Sequence, residues 1–236
     1  MIETRDRILD AAERLFAERG YAATSLRSIM AEAGVNVAAI HYHFHSKESL
    51  LEAILLRRLD PANRERLSAL EDYEASVVDG RLEVDRILEA FLYPTFRMAA
   101  DPASGGYTFI ALLGRLQAES DLLPNIVFSR LGPVLLRFAD ALGRALPDLP
   151  PSELFLRARL AMGAAAQVLR DAPHIHSLTQ NGAGNGSLPH WESLMERIIP
   201  FLSAGFRVPH HGGAELGFLP EITQFQPAAL PLQENR

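Results

Sequence analysis

Apolar residues recur along this chain at spacings of three and four, the period of a helix with one buried face. Over residues 5–19 the stripe is Ile8, Ala12, Leu15 and Phe16, with Arg7, Asp10, Glu13 and Arg14 elsewhere. Gly20 stands where a helix-ending glycine belongs. Thr24 or Ser25 caps a second short helix with Leu26, Ile29, Met30 and Ala33 inward, and Gly34 ends it. Residues 37–43 read as a third short helix. Ser46 then caps a fourth, which carries Leu50, Leu51, Ile54 and Leu55. Asp60-Pro61 interrupts that helix: proline lacks a backbone donor and disfavours helix at the residue before it, so a kink or a restart at Pro61 is expected. Longer apolar helices follow at 62–75, 83–100, 106–119, 125–146, 152–170 and 190–206. Asp79-Gly80, Asp101-Pro102, Ser104-Gly105-Gly106, Pro124, Pro147 to Pro151 and the glycine-rich 181–189 separate them. No alternating strand pattern of useful length is present. The expected class is all-α: an N-terminal unit over 1–58, a larger helical unit over 59–208, and a proline-containing tail over 209–236.

Composition narrows this picture. The chain has 236 residues and no cysteine, so no disulfide framework, thiolate zinc site or thiol nucleophile is available. The charged start has no apolar core and argues against a secretory signal. No apolar run reaches the roughly 20 residues of a membrane span. A cytoplasmic protein is expected. The formal net charge is -6, against a protein that coats nucleic acid over its whole surface. Residues 1–64 are neutral, with nine basic and nine acidic side chains, so the acidity belongs to the remainder.

The segment from Thr24 to Lys47 reads as one device. A short helix leads into the tight turn Ala33-Gly34-Val35-Asn36, and a second short helix follows. Gly34 supplies the small residue at the bend, and Val35 the apolar residue that pins the two helices. The second helix presents Asn36, Val37, Ala38, Ala39, His41, Tyr42 and His43, with Ile40 and Phe44 inward. Small residues near its start let it sink into a major groove roughly 12 Å wide. Lys47, the chain's single lysine, sits in the first turn of the next helix, where an ammonium and backbone N–H groups can meet a phosphate. His41 and His43 point to different sides of a helix and no carboxylate stands beside His41 and His45, so no metal site is expected. No cofactor motif is present either. No nucleophile–base spacing supports an enzyme.

These residues resemble the TetR family of bacterial transcriptional regulators over about 5–57. The likeness rests on Ile8-Leu9-Asp10-Ala11-Ala12, Leu15 to Tyr21, Thr24-Ser25-Leu26, Ile29-Met30-Ala31, Ala33-Gly34-Val35 and Tyr42 to Leu50. The resemblance implies an all-α homodimer with an N-terminal three-helix DNA-binding unit. It also implies a divergent C-terminal domain for ligand and dimer contacts, and a repressor released from a palindromic operator by a small molecule. Carried over by position, the DNA contacts fall on Val37, Ala38, Ala39, His41, Tyr42 and His43. Thr24, Ser25, Arg27, Asn36 and Lys47 support them. Few strong base-reading donors stand at the helix start. Specificity is therefore expected from His41, Arg27, thymine methyl contacts and DNA shape.

The second unit offers an apolar bundle, a common setting for a ligand pocket. Candidate ligand residues are Phe96, Phe109, Leu113, Arg115, Gln117, Phe128, Leu131 and Gln167; each is core or an exposed position in the alternative reading. Arg97 is a further polar candidate of the same kind. Leu112 to Glu119 and Arg144 to Pro150 are similar to the subgroup that includes fatty-acid-responsive repressors, which implies a fatty acid or acyl-CoA effector. The last two helices carry small and apolar residues that suit a four-helix subunit interface: Ala158, Met162, Ala165, Trp191, Leu194, Ile198 and Phe201. The same residues serve equally well as this subunit's own core. Control by a partner protein, or by no ligand at all, is the alternative to a small-molecule effector.

Overall fold

The computed structural model describes residues 4–36, 42–101, 105–119, 122–179 and 191–210, with the backbone alone at 117–119, 122–128 and 172–179. Eight helices are present among the described residues. They are α1 (Thr4–Arg19), α2 (Leu26–Ala33), α3 (Lys47–Ser76), α4 (Val84–Ala100), α5 (Gly106–Glu119), α6 (Leu122–Ala145), α7 (Pro151–Thr179) and α8 (Trp191–Arg207). A further helical turn spans 42–44. No strand occurs among the described residues.

The apolar stripes form two cores. In the N-terminal one, Ile8, Leu15 and Phe16 of α1 meet Ile29 of α2, Phe44, and Leu50, Leu51, Ile54 and Leu55 of α3. Phe109, Leu112 and Leu116 of α5 close it from the other side. The second core joins the far half of α3 to α4, α6, α7 and α8 through Leu70, Ile87, Phe96, Phe138, Leu154, Ala165, Ile198 and Phe206. α3 belongs to both cores. Its 30 residues span about 45 Å at 1.5 Å per residue.

α3 corrects the expected break at Pro61, because the helix runs unbroken from Lys47 to Ser76. Its packing into both cores outweighs the one backbone bond that proline removes. α6 likewise starts at Leu122, ahead of Pro124, which stands in a first turn that has no backbone partner for its N–H in any case. α7 runs to Thr179, beyond the expected end near 170. The tail beyond residue 210 and the 181–189 connection lie outside the described residues.

At Pro94, inside α4, a buried arginine supports the backbone. Arg66 Nε donates to the Phe91 carbonyl at 2.9 Å, and Nη2 donates to Thr95 Oγ1 at 2.5 Å. Nη1 donates to Asn63 Oδ1 at 2.7 Å, and Asn63 Nδ2 reaches the Arg130 carbonyl of α6 at 3.2 Å. The guanidinium also lies 4.8 Å from the Phe91 ring centre. Burial pushes this arginine down to about 10, with the charge of Glu65 acting in the other direction. Arg66 therefore stays cationic at neutral pH, while its hydrogen bonds tie α3, α4 and α6 together.

Candidate nucleic-acid interface

The N-terminal unit is built by caps as much as by its core. Gly34 adopts the left-handed conformation (φ 63) that ends α2. Arg7 Nη2 reaches the exposed carbonyls of Ala33 and Gly34 at 2.5 and 3.2 Å. Ser25 is the N-cap of α2, its hydroxyl accepting from Ser28 N at 3.1 Å. Ser46 caps α3 in the same way, accepting from Ser49 N at 3.0 Å. The left-handed end of α2 and the capped start of α3 thus border, in sequence, the segment that holds Asn36, Tyr42 and His43.

Tyr42 is 80 % exposed, whereas Phe44, two residues on, is buried in the core. Ser25, Arg27 and Asn36 are exposed and His43 is half-buried. Val37, Ala38, Ala39 and His41 lie outside the described residues. Lys47 lies across an aromatic shelf, Nζ standing 4.3 Å from the Tyr21 ring centre and 5.9 Å from that of Phe16. It donates to the Ala22 carbonyl at 3.5 Å, and desolvation lowers its pKa.

Thr24 departs from the supporting DNA contact expected of it. Its side chain is buried, and its hydroxyl donates to the carbonyls of Gly20 at 2.7 Å and Leu15 at 3.2 Å. It completes the end of α1. Glu13 is a second correction, since it is buried and not on the polar side of α1. Its Oε2 accepts from Arg57 at 2.7 Å, and its Oε1 from Arg58 at 2.8 Å. Asp10 also binds Arg57 at 2.7 Å. Burial alone would lower the Arg57 pKa, but the hydrogen bonds to Glu13 and Asp10 outweigh it and raise it. This network clamps α1 onto α3, and linear spacing gives no sign of it.

Among the described residues the candidate ligand side chains do not converge. Phe96 is buried in the second core and Leu131 packs on it, while Phe109 and Leu113 belong to the first core. Arg115 Nη1 donates to the carbonyls of Ala17 at 3.0 Å and Glu18 at 2.6 Å, at the end of α1. Gln167 is exposed and donates to Asp171 at 2.6 Å, and Arg97 is exposed and paired with Glu65. The side chains of Gln117 and Phe128 lie outside those described. The cause is geometric: one face of α5 turns toward α1 rather than into the bundle.

Among the candidate dimer residues, Ala165 and Ile198 are buried in their own subunit. Ala158, Trp191 and Leu194 pack half-buried against the same core, and Met162 is also half-buried. Trp191 stacks edge-on to Tyr93, with centroids 4.9 Å apart. Phe201 is different, at 72 % exposed. Leu160 of α7, which periodicity did not single out, is 64 % exposed.

Capped short helices with an exposed polar and aromatic edge, joined to a second helical core, are the arrangement expected of a helix–turn–helix regulator. Comparison with known proteins agrees. Residues 8–54 match the model described as bacterial regulatory proteins, tetR family, and residues 89–205 match a tetracyclin repressor-like C-terminal domain. The chain belongs to the TetR family of transcriptional regulators. It is 49 % identical over 53 residues to the HTH-type transcriptional regulator TtgR of Pseudomonas putida, covering 22 % of this chain and 25 % of that protein. It is 36 % identical over 84 residues to the HTH-type transcriptional repressor KstR2 of Rhodococcus jostii, covering 36 % of this chain and 39 % of that one. The matched stretch thus spans about a quarter of the first relative's length. The fold also aligns with the fatty acid degradation regulator FadR from Bacillus halodurans, with a TM-score of 0.57, 18 % identity and coverage of 88 % and 98 % of the two chains. The ketosteroid regulator KstR2 of Mycobacterium tuberculosis aligns with a TM-score of 0.61, 17 % identity and coverage of 87 % and 95 %. No helix among the described residues is long and apolar enough to cross a membrane.

Proposed function

We propose that the chain is a cytoplasmic, dimeric repressor that binds an inverted-repeat DNA operator and leaves it when a small molecule binds the second unit. The observation that carries the DNA half is Tyr42, a large ring held almost wholly in solvent four residues before the N-cap Ser46 of α3. An exposed tyrosine hydroxyl is one of the groups that contact phosphates in protein–DNA interfaces. Ser25, Arg27 and Asn36, which are exposed, and half-buried His43 supply polar groups for phosphates and base edges, together with Val37, Ala38, Ala39 and His41 by position. The Thr24 side chain is withdrawn from this set. Lys47 adds a desolvated ammonium beside a neutral carbonyl, and a phosphate oxygen is a stronger acceptor.

Leu160 and Phe201 support dimerisation. Arg157 Nη1 donates to the carbonyls of Phe206 at 2.8 Å and Val208 at 2.6 Å, which fixes α7 against the end of α8. One turn inward along each helix stand Leu160 and Phe201, an exposed apolar pair suited to self-association. Two recognition elements then enter successive major grooves, roughly 34–36 Å apart. An apolar effector such as a fatty acid or acyl-CoA remains the reading suggested by residues 112–119 and 144–150.

Selection of bound fragments from random duplex DNA tests the DNA half. An enriched inverted repeat is expected, and His41→Ala with Tyr42→Ala is expected to abolish its recovery while leaving helicity intact. Binding that is only salt-sensitive, with no motif, overturns the operator reading, because phosphate contacts alone behave that way.

A further inference from the structure

Four arginines of the N-terminal unit are spent on internal partners. Arg7 holds the carbonyls that end α2, Arg14 pairs with Glu32, and Arg57 and Arg58 share Glu13. Arg5, in the first turn of α1, is exposed, and among the described residues no carboxylate forms an ion pair with it. Arg19, Arg27 and Arg64 are exposed too. What sets Arg5 apart is its seat: the guanidinium lies 5.6 Å from the ring centre of Phe44. Phe44 is buried, next to half-buried His43 and two residues after exposed Tyr42. The cation is thus held at the foot of the proposed DNA-reading edge, and no spacing along the sequence links residue 5 to it.

Arg5 lines a groove with Ser49, Glu52 and Leu56 of α3. At about 100° per residue these three stand roughly 140–200° around α3 from Lys47. Arg5 therefore lies against the face of α3 opposite the one that carries Lys47. Lys47 turns toward Phe16, Tyr21 and the Ala22 carbonyl, at the other end of α1. A helix with its side chains is roughly 10–12 Å across, and the major groove is roughly 12 Å wide. Two cations on opposite sides of the start of α3 are thus spaced to meet phosphates on the two strands that wall one groove. Glu52 and Asp60 line the same groove as Arg5, and neither forms an ion pair with it.

We propose that Arg5 is a second phosphate grip, set on the wall of the major groove opposite the one that Lys47 holds. It rests on the DNA-binding reading and adds to it a contact from outside the helix–turn–helix segment. A guanidinium suits the task, because it is planar, always charged and offers paired donors to phosphate oxygens. Stacking on Phe44 already limits the rotamers of this long side chain, so less freedom is lost when DNA binds. With Lys47 alone the unit can tilt about one strand. A grip on each wall fixes the angle and register at which the Tyr42 edge enters the groove. The contact carries no base information, so it acts on affinity and its salt dependence and not on the preferred sequence.

The full chain and its variants are titrated by fluorescence anisotropy onto the inverted repeat recovered by selection and onto a pool of random duplex, each at several salt concentrations. Arg5→Gln is expected to weaken operator binding about tenfold or more, the loss of a charged hydrogen bond in each subunit. The slope of log affinity against log salt is expected to fall by about 0.9 for each lost phosphate contact, about 1.8 for a dimer. Selection repeated with Arg5→Gln is expected to return the same repeat. Arg5→Lys, which keeps the charge, is expected to restore most of the slope. Arg64→Gln removes an exposed arginine at the far end of the same groove, about 25 Å along α3 from Lys47, and is expected to change neither quantity. Circular dichroism confirms that each variant is folded. In ethylation interference, Arg5→Gln is expected to erase phosphates on one strand of each half-site, and Lys47→Gln those on the other. An unchanged slope in Arg5→Gln overturns the grip, and so does an equal fall in Arg64→Gln, because net charge alone then explains it. Erasure of the same phosphates by both variants overturns the placement on opposite walls. If the parent chain binds no duplex, the DNA-binding reading fails and the grip with it. If it binds duplex without a motif, the operator reading fails, and the slope on random duplex still decides Arg5.

Discussion

Glu13 has a buried carboxylate held by Arg57 and Arg58, and its removal leaves two guanidinium groups facing the core without their shared partner. Breaking a buried pair on one side typically costs about 3–5 kcal/mol. Arg57 and Arg58 keep some solvent contact, so Glu13→Ala is expected to destabilise the chain by about 2–4 kcal/mol, read from the urea unfolding midpoint. Glu74 makes a different kind of prediction. Hydrogen bonds from Arg137, opposed by partial desolvation and joined by Arg144, hold its carboxyl below the ordinary value of 4.5. A carboxylate with a lower pKa in the folded state adds stability that is complete above 4.5 and is lost as pH falls through the lowered value. Unfolding midpoints are therefore expected to fall below about pH 4.5, and Glu74→Gln to flatten part of that fall. An unchanged profile in the variant would show that the α3–α6 clamp carries no such linkage. Neither residue was legible in the sequence. Glu13 sits one position off a clear apolar stripe, and its partners lie more than forty residues away.

At the scale of elements, the stripes read well wherever a helix buries one face. α1, α2 and the start of α3 form with the predicted residues inward, because their spacing and caps are local properties of the chain. Proline was over-read as punctuation. Pro61 lies inside α3 and Pro124 inside α6, whereas Pro94, Pro133 and Pro200 stand within helices as the spacing predicts, since packing preserves a helix's course after the loss of one backbone bond. This gives Pro61→Ala a definite outcome. Pro61 is exposed and its ring makes no part of either core, so alanine restores a donor for the Arg57 carbonyl and removes the propensity penalty of about 3 kcal/mol. A gain of about 1–3 kcal/mol in unfolding free energy is expected, with helicity unchanged or slightly raised. A loss would mean that α3 needs its proline to serve both cores at once. The dual role of α5 was hidden for a related reason: its apolar residues read as one bundle stripe, and only their partners show that the stripe divides between two cores.

At the scale of the molecule, the acidic bulk and the neutral first quarter divide the labour. On the proposed reading, the N-terminal unit would meet an anionic duplex with a balanced charge, while the remainder of the chain carries the net acidity. What joins copies of the chain was only partly legible. Periodicity pointed to the last two helices, but it could not tell Ile198 and Ala165, which are buried, from Phe201, which is exposed. If Phe201 and Leu160 anchor a dimer, placing charge on both is expected to prevent its apolar centre from closing. Phe201→Glu with Leu160→Glu is therefore expected to convert a dimer to a monomer in sedimentation equilibrium, with little change in thermal unfolding of the monomer, since neither side chain belongs to its core. Operator affinity is expected to fall with it, because each subunit then holds one half-site alone and loses the gain of a tethered second contact. A variant that still sediments as a dimer would place the subunit interface elsewhere on the second unit. Half-site binding retained by that monomer would separate the DNA-reading edge around Tyr42 from the assembly that gives the operator its symmetry.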